Sequence, residues 1–214
     1  MPEMPRFIEA ADNTRPFQSH RYDVFAPKLN RNLTLFGLTS VDVWITLEAD
    51  PEVILYCERP LLLPDTKPKR VIDFWVKRQT SEEFLFVLRP SELSAGLRSP
   101  DSIPAFRRWA KANQLSIKYL DPADISNQKV LLANWGRILR DLGAFGRHLP
   151  AELADRVITS LKRGVSLQVL EQRLPEVDPI LVRVAAFALL HRGRAICKSL
   201  NREILGPTTE IELT

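Results

Sequence analysis

Two segments, Arg70-Val71-Ile72-Asp73-Phe74-Trp75-Val76 and Glu83-Phe84-Leu85-Phe86-Val87-Leu88, are nearly continuous in apolar residues. A strand with one wet face alternates polar and apolar; a strand without alternation is covered on both sides. The chain around them therefore reads as α/β. Leu38, Val41, Ile45 and Glu48 lie on one stripe, widened by Val43, Trp44 and Leu47, which predicts a helix over Leu38–Ala49. Thr39 or Ser40 caps its start, and Asp50-Pro51 ends it, because a residue before proline avoids the helical region. Val53–Cys57 is β-branched and aromatic and predicts a strand, which Pro60–Leu63 continues past a kink. Residues 64–69, Pro-Asp-Thr-Lys-Pro-Lys, read as a turn. A helix over Ser102–Asn113 carries Phe106, Trp109 and Ala110 on one face, and Leu115–Leu120 alternates and closes the sheet. Residues 31–120 thus read as helix, three strands, helix, strand, a mixed-sheet α/β domain.

On either side the pattern changes. Met1 to Asn30 holds Pro2, Pro5, Pro16 and Pro27 and reads as an extended arm. Its basic residues are interleaved with Phe17, Tyr22 and Phe25, which either track phosphates or, as the plainer reading, pack on the body. Asp121-Pro122 opens a helix running to about Asp141, with Asp as cap and Pro in the first turn. Helices follow over Ala151–Arg163, Ser166–Leu174 and Pro179–Arg192, stopped by Gly193. Short strands at Arg194–Ser199 and Thr209–Leu213 flank a turn. Three helices followed by a two-strand ribbon is the element order of a winged-helix domain. The domains expected are 1–30, 31–120 and 121–214.

Charge and composition narrow the function. From Lys129 onward there are 13 basic and 9 acidic residues; before it the two signs balance, so the whole net +4 sits in the C-terminal part. That is compatible with a nucleic-acid surface and equally with a solvated helix face. No apolar run approaches the ~18 residues of a membrane span, and the first residues lack the apolar stretch of a secretory leader. A cytoplasmic protein is expected. Cys57 and Cys197, in strand-like contexts, read as two buried thiols rather than a disulfide. Three histidines and two isolated cysteines offer no zinc spacing, and no glycine-rich phosphate loop or catalytic-triad pattern is present.

Four stretches then fall in a telling order: Leu47-Glu48-Ala49-Asp50-Pro51-Glu52-Val53, Glu58-Arg59-Pro60, Arg70-Val71-Ile72-Asp73-Phe74 and Phe86-Val87-Leu88-Arg89-Pro90. The run resembles the endonuclease domain of the TnsA family, the strand-cutting subunit of heteromeric transposases. His191-Arg192-Gly193-Arg194 and the closing Gly206–Leu213 are similar to the winged-helix end of that family. The resemblance implies a restriction-endonuclease-like first domain, a winged-helix-like second one, and metal-assisted phosphodiester hydrolysis. It also implies DNA as partner, together with a transposase or an AAA-type ATPase.

That chemistry needs a helix Glu, a strand Asp, and a Glu or Gln two positions before a Lys, because hard Mg²⁺ takes several oxygen ligands. Asp73 matches the strand acid. Val87 stands at the Glu or Gln position and ligates nothing; Arg89 stands at the Lys position and cannot act as a base. The helix acid falls in Gly37–Asp42, where Asp42 is the sole acid. The resemblance therefore implies a degenerate nuclease fold, with Asp73, Arg89 and Asp42 as vestigial or variant catalytic positions, no metal site, and no cofactor. The plainer reading of Asp73 is an acid paired with Lys69, Arg70 or Arg89. DNA contacts are expected at Lys67, Lys69 and Arg70 on a hairpin, and at Arg192, Arg194 and Lys198 beyond the last helix, as non-specific backbone contacts. That last helix is too apolar to read base edges, which points to protein docking. Two alternatives stay open: an active Mg²⁺ nuclease rebuilt from Asp73, Asp42 or Glu48, and Arg89, and a winged-helix regulator.

Overall fold

The two apolar segments supply the inner strands of a four-stranded mixed sheet in the computed structural model of the chain, which describes residues 5–63, 70–94, 104–161 and 164–214. The chain divides into two units, Met1–Leu47 with Glu52–Asn127, and Glu48–Pro51 with Gln128–Thr214. The first unit contains β1 (Arg21–Ala26), β2 (Arg31–Phe36), most of α1 (Leu38–Ala49), β3 (Val53–Glu58), β4 (Leu62–Leu63), β5 (Arg70–Val71) and β6 (Phe74–Arg78). β7 (Glu82–Val87), α2 (Pro90–Ser94), α3 (Pro104–Ala112), β8 (Leu115–Leu120) and α4 (Pro122–Ser126) complete it.

The sheet order is β3-β6-β7-β8. β3, β6 and β7 are antiparallel neighbours, whereas β8 runs parallel to β7. A parallel partner requires a crossover, and α3 lies in it. Cys57, Trp75, Phe84 and Phe86 point into a buried cluster with Ala110 of α3 and Leu115. Tyr56, Phe74, Val76 and Leu85 are buried too, at alternate positions of the same strands. There the indole of Trp44 on α1 donates to the Tyr56 hydroxyl at 2.9 Å, and the Tyr56 and Phe74 rings meet edge-on at 6.4 Å. Both faces are covered, which is why these strands do not alternate.

The strand expected over Arg70–Val76 is interrupted. β5 pairs with β4 as a separate two-residue ladder, and β6 begins only at Phe74. Ile72 and Asp73 bridge the break: the Ile72 N–H donates to Leu61 O at 3.0 Å and the Asp73 N–H to Leu85 O at 3.1 Å. The expected turn at residues 64–69 lies outside the described residues. The extended arm expected over Met1–Asn30 does not hold for its second half, because Arg21–Ala26 and Arg31–Phe36 form an antiparallel hairpin. Leu33 and Leu35 bury its alternate positions. Upstream, Phe7 packs edge-on against Trp75 and Phe84, with ring centroids 5.6 Å from each.

The helix expected from Asp121 to Asp141 is two helices. α4 is capped by the Asp121 carboxylate, which accepts the Ala123 N–H at 2.8 Å, and belongs to the first unit. The second unit begins its helices with α5 (Lys129–Phe145) and continues through α6 (Leu153–Ser160), β9 (Val165–Ser166), α7 (Leu167–Arg173) and α8 (Pro179–His191). β10 (Ala195–Ile196) and β11 (Glu210–Leu213) follow, in an antiparallel sheet of order β10-β11-β9. Asp178 caps α8 by accepting the Ile180 N–H, with Pro179 in the first turn. α8 is the core of this unit: Val182 and every residue from Val184 to His191 are buried. Gly193 ends it at φ +68°, where a Cβ would stand 2.7 Å from the Cβ of Pro51. Asn134, 2% exposed on α5, donates to Leu200 O and Glu203 O and accepts the Leu205 N–H, pinning the loop between β10 and β11. No helix among the described residues is long and apolar enough to cross a membrane.

Both thiols are free, and only Cys197 departs from the buried position expected of it. Cys57 is fully buried in β3, while Cys197 lies beyond β10 and is partly exposed.

Candidate functional site

Where β5 gives way to β6, the sheet opens into a cleft of about 750 Å³ in the first unit. Asp73 lies in its wall at the strand break. The break leaves the Val87 N–H at the end of β7 facing the Asp73 side chain, and Oδ2 accepts it at 2.8 Å. The carboxylate thus replaces a ladder carbonyl. The Arg70 Nη1 stands 3.6 Å from the same oxygen. Burial pushes the Asp73 carboxyl up to a pKa of about 6, against the opposing pull of Arg70, the Val87 amide and Arg89.

Arg70 is fixed from several sides. It donates to Val87 O at 2.7 Å, its Nε is 3.3 Å from Glu92 Oε1, and its guanidinium sits over the Phe86 ring at 5.4 Å. Its side chain is 11% exposed, so the residue expected to grip DNA from a hairpin is committed to holding this wall together. Glu92, which sequence reasoning missed, is the other anchor. On the first turn of α2 it also accepts the Arg89 N–H at 2.6 Å, half of a capping box. The signal was there to be read: Pro at the first helical position and Glu two residues on, in Arg89-Pro90-Ser91-Glu92.

Arg89 lines the cleft with its backbone fixed by Glu92, and its guanidinium makes no hydrogen bond or ion pair among the described residues. Burial and the nearby Arg70 lower its pKa, the mark of a positive charge with too little water or counter-charge around it. Arg59, a second missed residue, ends β3 in the left-handed region at φ +45°. It is held there by Asp12 at 2.6 Å, by the Thr14 carbonyl at 3.1 Å and by the Phe36 ring beneath it at 5.0 Å. A non-glycine residue in that region is strained and persists only when its surroundings over-determine it. Its Nε is buried without a hydrogen-bond acceptor.

The other expected positions are scattered. Asp42 does not line the cleft; burial raises its pKa, and Thr39 and Ser40 present themselves from α1 instead. Asp42 comes two residues after Ser40, and about 200° of rotation carries it away from the Ser40 side of the helix. Glu48 is fully buried, with Oε2 2.6 Å from His191 Nε2 in the second unit. Lys67 and Lys69 lie outside the described residues. Arg192 and Arg194 are exposed beyond α8, and Lys198 pairs with Glu212.

A hard divalent cation does not fit this donor set. Two carboxylates line the cleft, Asp73 and Glu58, and Glu58 is gripped through both oxygens by Arg31 at 2.8 and 2.6 Å. Arg59, Arg70 and Arg89 surround them. No group of three acidic, histidine or cysteine side chains suited to a metal occurs among the described residues. What the arrangement offers is guanidinium donors in a part-dry cleft, suited to an anion with several oxygens. No family model matches the chain, and no curated protein does either.

Proposed function

We propose that this chain is a TnsA-like component of a transposition or mobile-element system, in which a restriction-endonuclease-like domain holds DNA without cutting it. The observation that carries the reading is the wall of the cleft. An acid at a strand break stands beside Val87 and Arg89, where hydrolysis would need an oxygen ligand and a lysine. The order of helix, three antiparallel strands, helix and parallel strand supports the same kinship. Arg89 and Arg59, both lining the cleft, supply the positive charge, and a guanidinium that never loses its proton serves a phosphate better than it serves a hydrolytic water. In the second unit, the succession helix, strand, helix, helix and two strands supports a winged-helix-like domain. Its α8 sits in the core, which supports docking onto a transposase or AAA-type ATPase over reading of base edges.

Supercoiled plasmid incubated with the protein and Mg²⁺ or Mn²⁺ should stay unnicked. DNA binding measured by fluorescence anisotropy should persist in EDTA, weaken with salt, and fall in Arg89→Ala. Nicking that vanishes in Asp73→Ala would establish an active nuclease instead.

A further inference from the structure

Phe17 is 90% exposed, the most exposed large hydrophobic side chain among the described residues, and it lines the cleft that holds Arg89. A single exposed apolar residue needs no explanation by itself. What singles out Phe17 is how it is held. It sits in a turn closed by the Ser19 N–H donating to Pro16 O at 3.1 Å, with Gln18 at φ +58°. The chain before the turn is tied down through Asp12 and Thr14 to Arg59, and the chain after it by the Gly37 N–H donating to His20 O at 2.9 Å. The ring is therefore presented to water at the cleft on a braced turn, with no partner ring to cover it among the described aromatic pairs.

Cleft size decides what such a ring meets. Cavities of about 300–1,000 Å³ take molecules of drug or nucleotide size. At about 750 Å³ this one admits a nucleotide or two, and a duplex would have to unstack to enter. An aromatic face beside cationic donors is the usual equipment for a single strand, the base stacking and the guanidinium taking the phosphate. Resting on the DNA-holding reading above, we infer that the cleft takes a single-stranded DNA segment, one base stacked on Phe17 and an adjacent phosphate held by Arg89. Asp73 does not oppose this as a bare charge, because its carboxylate is engaged by the Val87 N–H and Arg70.

Anisotropy titrations of a labelled single-stranded oligonucleotide and of the duplex of the same sequence, at one fixed salt concentration, test this. The single strand should bind about 10-fold tighter than the duplex. Phe17→Ala should cost about 10-fold on the single strand and little on the duplex, within the range of base–aromatic stacking. Phe17→Trp should restore the affinity, and Arg89→Ala should weaken the single strand. Equal binding of the two DNAs, or a Phe17→Ala protein with unchanged single-strand affinity, overturns the stacking site. Salt-dependent duplex binding would then still leave the DNA-holding reading standing, whereas binding to neither DNA removes both.

Discussion

Asp73 is the carboxylic acid whose environment most alters its titration among the described residues. In the folded chain its carboxyl keeps its proton to about pH 6, against an ordinary value of 3.8. Between those two values the folded state binds more protons than the unfolded one, so stability falls as pH rises through about 4 to 6. At ~1.4 kcal/mol per unit, this amounts to on the order of 2–3 kcal/mol. Asp73→Asn keeps an acceptor for the Val87 N–H and cannot ionise. Its thermal midpoint relative to the parent should therefore rise between pH 4 and pH 7.5, and a constant difference would count against the burial argument. The thiols make a second test. Burial in the core pushes Cys57 up to about 12, while Cys197 is partly exposed. A native protein should titrate one thiol quickly with a disulfide reagent, and the second only after unfolding. Asp73 is legible in the sequence because it is the one acid within an apolar run, and Arg70 is among the basic neighbours expected to pair with it. Arg59 was not, because a left-handed φ at an arginine has no compositional sign.

At the scale of elements, what could be read followed period and punctuation. The strands around Tyr56, Trp75, Phe84 and Ile117 stand where β-branched and aromatic runs placed them. β4 and β5 fall within the strands expected over Pro60–Leu63 and Arg70–Val76, but their separation into a ladder of their own has no sign in the sequence, because two-residue strands are too short to show a period. The hairpin of β1 and β2 is obscured in the sequence by the prolines before it, although Tyr22, Val24, Leu33 and Leu35 alternate as strand residues do. Asn134 left a fainter sign, a polar residue on the stripe shared by Trp135 and Ile138. Its three hydrogen bonds reach backbone groups 66 to 71 residues away. Asn134→Ala leaves those groups unpaired in a buried setting, at about 3–5 kcal/mol in total. Amide exchange at Leu205 should accelerate accordingly. An unchanged rate would mean that the loop is held by something other than this side chain.

For the molecule as a whole, charge is unevenly distributed along the chain, and the surplus follows Lys129. Arg192 and Arg194 are exposed there, and Arg89 adds a cation in the other unit. If two to four phosphates are neutralised, raising salt from 50 to 200 mM should weaken duplex binding by about 10- to 150-fold. Replacing both Arg192 and Arg194 with Ala should lower the slope of log affinity against log salt by about 2. An unchanged slope would confine the DNA contacts to the first unit.

The clamp around Asp73 also limits what substitution could add to the cleft. Val87→Glu with Arg89→Lys would add a carboxylate and an amine to the cleft and still leave Asp73 occupied. Arg70 would remain locked between Asp73 and Glu92, its fixed positive charge facing any incoming cation. Freeing Asp73 for a cation thus requires the loss of Arg70, and that same loss would unfasten the start of α2. A cation site at Asp73 is thereby tied to damage in the scaffold that presents it.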